Sequence, residues 1–197
     1  MGVGTQSTTG DTLNVLGNVR VSGDVTCAGK YHGDGSLLTN LPSAGGGAAN
    51  LFYFYRTGAQ SLPGTGPGTG GVLTLTKINL NAVNFDSLNV CNTSSYYWKP
   101  NAAGYYNIQG CVAITPNVGG ASLCSYIYKN GTLCLTGSVS FQQYNNALVL
   151  STNVVGIIYM NGTTDYLELW ALHVNNGPTN SALNLSQTFM SGSFIHA

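Results

Sequence analysis

Hydrophobic and polar residues alternate with a period of two over most of residues 50–197. Such alternation is typical of β-strands that bury one face. Further predicted strands are 51–56, 72–80, 86–91, 95–98, 122–129, 132–141, 146–159 and 187–196. The pattern is clearest in 105–115, where one face holds Tyr106, Ile108, Val112 and Ile114, and in 165–174, where one face holds Leu167, Leu169 and Ala171.

Short segments rich in asparagine and glycine separate most of these strands, as NVGG does at 117–120 and KNGT at 129–132. No segment shows the apolar 3.6-residue period and the caps of a helix. Eight to ten strands in about 150 residues predict an all-β fold, with a sandwich or jelly roll over residues 50–197.

The segment 124–134 predicts a hairpin with Asn130-Gly131 in a type I′ turn. In that register Cys134 faces Ile127 and Cys124 faces Gly137. The two cysteines then project from opposite faces of the sheet, so we expect no disulfide between them. The chain has five cysteines and no CxxC motif, and we interpret them as free thiols.

A six-residue repeat, LNVLGN–VRVSGD–VTCAGK–YHGDGS, occupies residues 13–36. Glycine permits a corner with positive φ or a close approach of chains, and a few short coils cannot bury their apolar side alone. We therefore expect three chains to wrap together into a β-helix-like shaft over 13–43; the alternative is two ordinary hairpins with chance spacing. The predicted shaft turns are Gly17, Gly23, Gly29 and Gly35, and the predicted shaft core is Val15, Val19, Val21 and Val25.

The predicted organisation has four parts. Residues 1–12 form an attachment segment, 13–43 the shaft, 44–49 (AGGGAA) a hinge, and 50–197 the jelly-roll head.

The chain has six Lys and Arg and six Asp and Glu, a charged fraction of only 6%. Six scattered cations do not form the basic surface that nucleic acid requires. No apolar run approaches the roughly 18–20 residues of a membrane helix, and we expect no signal peptide at the start of the sequence. This composition fits an all-β protein that works outside a cell or in a particle.

Enzymatic motifs are weak. His32 stands in the last hexapeptide block, where a turn residue is expected rather than a base. GPGTGG at 66–71 precedes a strand-like segment and not the helix that a phosphate site needs. Asp165 and Glu168 fall on opposite faces by parity and are poor catalytic partners. We predict no catalytic residue, no cofactor and no metal-binding cluster, and leave open only a metal held on a threefold axis by three copies of one histidine.

Binding is the remaining chemistry. Exposed rings and amides suit sugars, which stack on aromatic faces and bond through hydroxyls. For Tyr97 and Trp98 we expect structural packing. The candidate glycan contacts are Tyr96, Tyr144, Asn145, Asn175 and Asn176.

The strands NLFYFYRT, SYIYKNGT and FMSGSFIHA, together with the segment NAAGYYNIQG, resemble the globular head of complement subcomponent 1q, a jelly roll of the tumour-necrosis-factor superfamily. The sequence departs from that family at 161–165 (NGTTD), where Gly-Asp usually precedes the next strand. The resemblance implies a threefold assembly in which aromatic and aliphatic faces pack around an axis, with tyrosines and Trp170 as candidate interface residues.

The segment NVRVSGDVTCAGKYHGDGSLLTNLP resembles the β-structured repeats of bacteriophage fibre proteins. Together the two resemblances imply a homotrimeric virion protein, made in the host cytoplasm, that contacts other virion proteins through its N-terminus and projects a head that adheres to host-surface glycan. One alternative is a capsid decoration or head-fibre protein with a mainly structural role. An alternative of another class is a soluble ligand of the tumour-necrosis type.

Overall fold

The computed structural model describes Ser22 and residues 50–63, 74–115, 120–142, 149–174, 179–181 and 187–197, with only the backbone at 179–181. The chain divides after Pro42, and the fold described below belongs to the second unit. The predicted attachment segment, shaft turns, shaft core and hinge lie outside the described residues and remain predictions.

The described residues form thirteen strands and no helix, which confirms the all-β class. Most of the long strands occur where the alternation predicts them. Their bounds are β1 Leu51–Tyr55, β2 Gln60–Leu62, β3 Leu75–Lys77, β4 Ala82–Asp86, β5 Cys91–Asn92, β6 Tyr97–Trp98, β7 Ala103–Ile114, β8 Ala121–Lys129, β9 Thr132–Gln142, β10 Leu150–Asn161, β11 Leu167–Val174, β12 Thr179–Ser181 and β13 Phe189–His196.

Two antiparallel sheets face each other in a jelly-roll sandwich. The first sheet has the order β10-β7-β13-β1-β4. The second has the order β5-β6-β11-β8-β9, with β3 paired to β11, while β12 pairs with β2 in a small separate ladder.

The core lies between the sheets and is rich in aromatic side chains. Phe52 stacks on Trp98 with ring centroids 4.4 Å apart, and Tyr106 meets Trp98 edge to face at 5.0 Å. The Tyr106 hydroxyl donates to the Ala102 carbonyl at 2.8 Å and accepts from the Asn50 amide at 2.9 Å, so this buried phenol is satisfied. The packing role predicted for Trp98 is confirmed, and so is the inward face of β7, where Tyr106, Ile108, Val112 and Ile114 are all fully buried.

The predicted strand 86–91 is wrong, because a turn interrupts it between β4 and β5. The Asp86 carboxylate accepts hydrogen bonds from the backbone N–H groups of Val90 (2.5 Å) and Cys91 (2.6 Å), and Asn89 has a φ of 54°. A side chain that captures backbone donors in this way competes with the strand ladder. The short strands β2 and β12 were not predicted.

The β8–β9 hairpin has the predicted turn, since Asn130 and Gly131 both have positive φ (54° and 75°) and Lys129 pairs with Thr132. The predicted register beyond the turn is wrong. Ile127 pairs with Leu135 rather than Cys134, and Cys124 pairs with Val139 rather than Gly137. Each of two register shifts inserts an extra residue into β9. Cys124 and Cys134 are nevertheless free thiols, as expected.

The segment 161–165 is an ordered turn between β10 and β11. The Asn161 side-chain carbonyl accepts from the backbone N–H groups of Thr163, Thr164 and Asp165 at 2.9–3.0 Å. Gly162 has a φ of 71°, and a Cβ there would lie 2.4 Å from the Ala103 nitrogen, so the turn requires glycine.

Candidate functional site

The outward side of the first sheet, which we call the open face, carries two groups of large apolar side chains, one on β10 and β7 and one on β1 and β4, with polar residues of β7 and β13 between them. Inward and outward positions alternate along β1, β7 and β10, so the residues between the buried ones point away from the core. Exposed apolar groups bordered by polar residues are typical of an interaction site. The exposed members are Leu51 (41%), Phe85 (47%), Tyr105 (42%), Val155 (67%), Ile157 (64%) and Tyr159 (48%).

Strand pairing places these side chains in rows across the sheet. One row joins Val155, Gln109, Ser191, Tyr53 and Phe85 through successive strand pairs. The rings within the face contact one another. The ring centroid of Tyr53 lies 6.2 Å from that of Phe85 and 4.9 Å from that of Phe189, and the centroids of Tyr105 and Tyr159 are 5.3 Å apart. The open face is therefore a pre-packed surface and not a scatter of single exposed residues.

A shallow groove of about 260 Å³ crosses the centre of the open face. Polar side chains of β7 and β13 form its floor, and the rings of Tyr53 and Phe85 stand on one side. The strand β13 packs tightly on the core here, because a Cβ on Gly192 would lie 2.7 Å from both Ile108 and Phe52. Burial raises the pKa of Tyr53, and the neighbouring Cys111 and Tyr55 add to that rise, so the phenol stays neutral at physiological pH. The groove is lined by Phe52, Tyr53, Phe85, Asn107, Gln109, Ser191, Gly192 and Ser193.

The open face has almost no charge. Within the described residues of its strands there is no lysine or arginine, and the only acidic side chain is Asp86 at the end of β4. Asp86 is committed to the turn described above. Depletion of charge at an apolar centre is characteristic of protein–protein interfaces.

A second apolar patch, the edge patch, consists of Val139 (69% exposed) and Phe141 (65% exposed) on β9. Strand β9 belongs to the second sheet but lies along β10 of the first. Asn153 and Ser138 exchange two hydrogen bonds at 3.3 Å, and Thr152 and Ser140 add side-chain bonds to the carbonyls of Ser138 and Ser151.

Close contact between these two strands depends on glycine. A Cβ on Gly137 would lie 2.4 Å from the Asn153 carbonyl oxygen and 2.5 Å from the Ser125 hydroxyl. A Cβ on Gly156 would lie 2.7 Å from Leu135. The sandwich is thus closed at this side, and the edge patch borders the open face.

Both carboxylates considered for catalysis are ion-paired. Glu168 meets Lys77 at 2.5 Å and Asp165 meets Lys129 at 2.8 Å, and each carboxylate side chain is only 9% exposed. Burial alone would raise the pKa of Asp165, but hydrogen bonds from Lys129, Asn130 and Asn161 outweigh burial and lower it. His173 is 1% exposed, and burial lowers its pKa, which favours the neutral ring.

Within the described part of the chain, no three His, Cys, Asp or Glu side chains cluster as metal ligands. No helix there is long and apolar enough to cross a membrane. His196 is exposed and lies 5.0 Å from Tyr105 at the end of the open face.

Of the five predicted glycan contacts, Tyr96 alone lies within the described residues. Tyr96 is half-buried in the turn between β5 and β6, with a φ of 57°, and its backbone N–H donates to the Asn92 carbonyl at 2.8 Å. Tyr144, Asn145, Asn175 and Asn176 lie outside the described residues, so their role stays a prediction.

Sequence reasoning missed the open face as a site, although the signal was present. The same alternation that predicts inward Tyr106 and Ile108 assigns Tyr105 and Asn107 to the outside. The unusual feature is that outward positions of β10 are themselves apolar, at Val155, Ile157 and Tyr159. Large apolar residues on both faces of one strand indicate that both faces are covered.

No protein-family model matches the chain, and no curated protein sequence matches it significantly. Among solved structures, it resembles the Eiger TNF of S. frugiperda, with 9% identity, a TM-score of 0.51, and coverage of 75% of this chain and 91% of that one. It also resembles murine APRIL, with 9% identity, a TM-score of 0.50, and coverage of 75% and 99%. At this identity the likeness shows the fold, a jelly roll of the tumour-necrosis-factor type.

Proposed function

We propose that three copies of this chain assemble through their open faces, and that the assembly is a structural fibre or spike of a bacteriophage particle whose head adheres to the host surface. The observation that carries the assembly is the uncharged open face, with Val155 and Ile157 about two-thirds exposed. Leaving such a surface in water is unfavourable by about 25 cal/mol per Å² of apolar area.

Two distinct patches favour a ring over a twofold pair. In a twofold dimer the same patch meets itself, whereas a contact between two different patches is heterologous and forms a ring when the rotation between copies closes. The edge patch of Val139 and Phe141 borders the open face and offers the second surface. The six-residue repeat of residues 13–36 also favours three chains side by side.

The virion role is supported by the sequence of the N-terminal segment, which resembles phage fibre repeats. A shaft formed by the same three chains would project the head and share its symmetry. Closed symmetry would also shield the strand edges from unwanted pairing.

A soluble ligand of the tumour-necrosis type is the second candidate, because the chain shares the jelly-roll fold of Eiger TNF and murine APRIL. Both functions use a trimer, so oligomeric state does not separate them. Antibody labelling of purified phage particles separates them. An antibody against this chain labels the particle if the chain is a virion protein and does not label it if the chain is a soluble ligand.

The assembly is tested by light scattering on the full chain after size-exclusion chromatography. Three chains of 20.5 kDa give about 62 kDa. A stable 20.5 kDa species would contradict the proposal.

A further inference from the structure

A second group of aromatic residues lies on the opposite side of the sandwich. Tyr126, Tyr128 and Trp170, which we call the platform, are half-buried and occupy outward positions of β8 and β11. Their neighbours Ile127, Leu169 and Ala171 are buried in the core. Trp170 pairs with Tyr126 across the two strands, and its ring lies 5.0 Å from that of Tyr128.

An ion pair fixes the orientation of the indole. The Glu168 carboxylate accepts from the Trp170 Nε1–H at 3.1 Å and from the Lys77 ammonium at 2.5 Å. Lys77 also donates to the Ser95 carbonyl at 2.7 Å. An ammonium has three N–H groups, and these two acceptors use two of them. One N–H group of Lys77 is therefore left to donate to a ligand at the border of the platform.

We propose that the platform binds a neutral hexopyranose through the C–H face of the sugar ring. A pyranose presents a flat set of C–H groups that stacks on aromatic rings, and hydroxyls at its border that bond to charged or amide groups. The platform supplies both parts, since Trp170 and Tyr128 offer ring surface and Lys77 lies beside them with its side chain 25% exposed. The paired charges of Lys77 and Glu168 cancel, which suits an uncharged ligand better than a phosphate or a carboxylate.

The platform and the open face lie on different sheets. The open face is on the first sheet and the platform is on the second. The edge patch is on β9 of the second sheet, but assembly through the open face and the edge patch uses none of Tyr126, Tyr128 and Trp170, so the platform stays accessible to a ligand. This inference deepens the proposed host adhesion and rests on it, but it does not depend on the number of chains in the assembly.

The test is saturation-transfer NMR on the full chain with methyl glucoside, methyl galactoside and methyl mannoside as separate probes. At least one glycoside should receive saturation, strongest at its ring C–H protons. Trp170→Ala should abolish the transfer, and Trp170→Phe should retain most of it because a ring remains. Lys77→Gln should weaken binding about tenfold, the usual cost of a lost hydrogen bond to a charged group.

Lys129→Gln is the matched control, because Lys129 forms the other ion pair, with a side chain 26% exposed that bonds to Asp165 and to the Tyr159 carbonyl rather than at the platform. It should bind like the unmodified chain. Circular dichroism establishes that each variant is folded. Saturation of none of the three glycosides, or saturation that survives Trp170→Ala, overturns the inference. Light scattering on the same samples reports the assembly separately, so failure of one proposal is distinguished from failure of the other.

Discussion

Replacing Ile157 by aspartate places a carboxylate on β10, the strand at one edge of the open face, and tests whether that face is buried by other copies. Ile157 is 64% exposed in the single chain. Complete burial of an isoleucine side chain stabilises by about 1.5–3 kcal/mol, so covering the exposed part contributes about 1–2 kcal/mol per copy, or about 3–6 kcal/mol per trimer. Loss of that contribution alone lowers the association constant of the trimer by a factor of about 10² to 10⁴. An unpaired buried carboxylate adds several kcal/mol per copy.

The isolated fold should tolerate the change, because substitutions at exposed positions usually alter the free energy of unfolding by no more than about 0.5 kcal/mol. Light scattering at micromolar concentration should therefore give about 62 kDa for the unmodified chain and 20.5 kDa for Ile157→Asp, with the same circular dichroism spectrum.

Leu133→Asp provides the matched control. Leu133 is 49% exposed, but it pairs with Tyr128 in the second sheet, away from the open face. This variant should remain trimeric. The reasoning is refuted if Ile157→Asp keeps the higher mass on dilution, or if Leu133→Asp dissociates equally.

Three further predictions concern the fold and the shaft. Gly137→Val should lower the free energy of unfolding by about 1–3 kcal/mol in urea denaturation, because its Cβ would lie 2.4 Å from the Asn153 carbonyl oxygen. Asp165→Asn should lower the free energy of unfolding by roughly 1–3 kcal/mol near pH 6. Because the folded-state pKa of Asp165 is lowered, the extra stability of the unmodified chain is complete above about pH 4 and disappears as the pH falls through that lower pKa. Gly23→Val should disrupt the predicted shaft, since a branched side chain disfavours a glycine corner, while the melting temperature of the head stays unchanged in calorimetry.

A specific result would contradict each of these three predictions. Gly58→Ala is the control for Gly137, since no atom lies within 4 Å of its added Cβ and only its φ of 79° opposes the change. A loss at Gly137 no larger than the backbone strain at Gly58 would contradict the effect assigned to close packing. A stability difference for Asp165→Asn that stays constant from pH 6 to pH 3 would exclude the ion pair as its source. Equal loss of head stability on Gly23→Val would contradict the separation of shaft and head.

The fold could be predicted where local chemistry decides it. Alternation predicts the inward face of β7. Asn130-Gly131 predicts the turn of the β8–β9 hairpin, because glycine and asparagine accept positive φ readily. The register of the same hairpin could not be predicted. One of the two extra residues in β9 lies between Thr136 and Val139, where Gly137 passes close to Asn153 of β10, a contact between strands of different sheets that no local pattern encodes.

The candidate site was only partly predictable for a similar reason. Parity assigns Tyr126, Tyr128, Glu168 and Trp170 to one side of their sheet, yet it does not show that β8 and β11 are neighbours. Lys77 joins this group through the pairing of β3 with β11, across some ninety residues of sequence. The sequence favours loop residues such as Tyr96 as glycan contacts because amides and rings are adjacent there, whereas the platform is assembled by long-range strand pairing.

The account is tested most directly by an electron cryomicroscopy map of the full chain in solution. It predicts three copies around one axis, with Val155 and Ile157 of each copy in contact with a neighbouring copy. A single copy, a twofold pair, or a trimer in which these two side chains face solvent would contradict it.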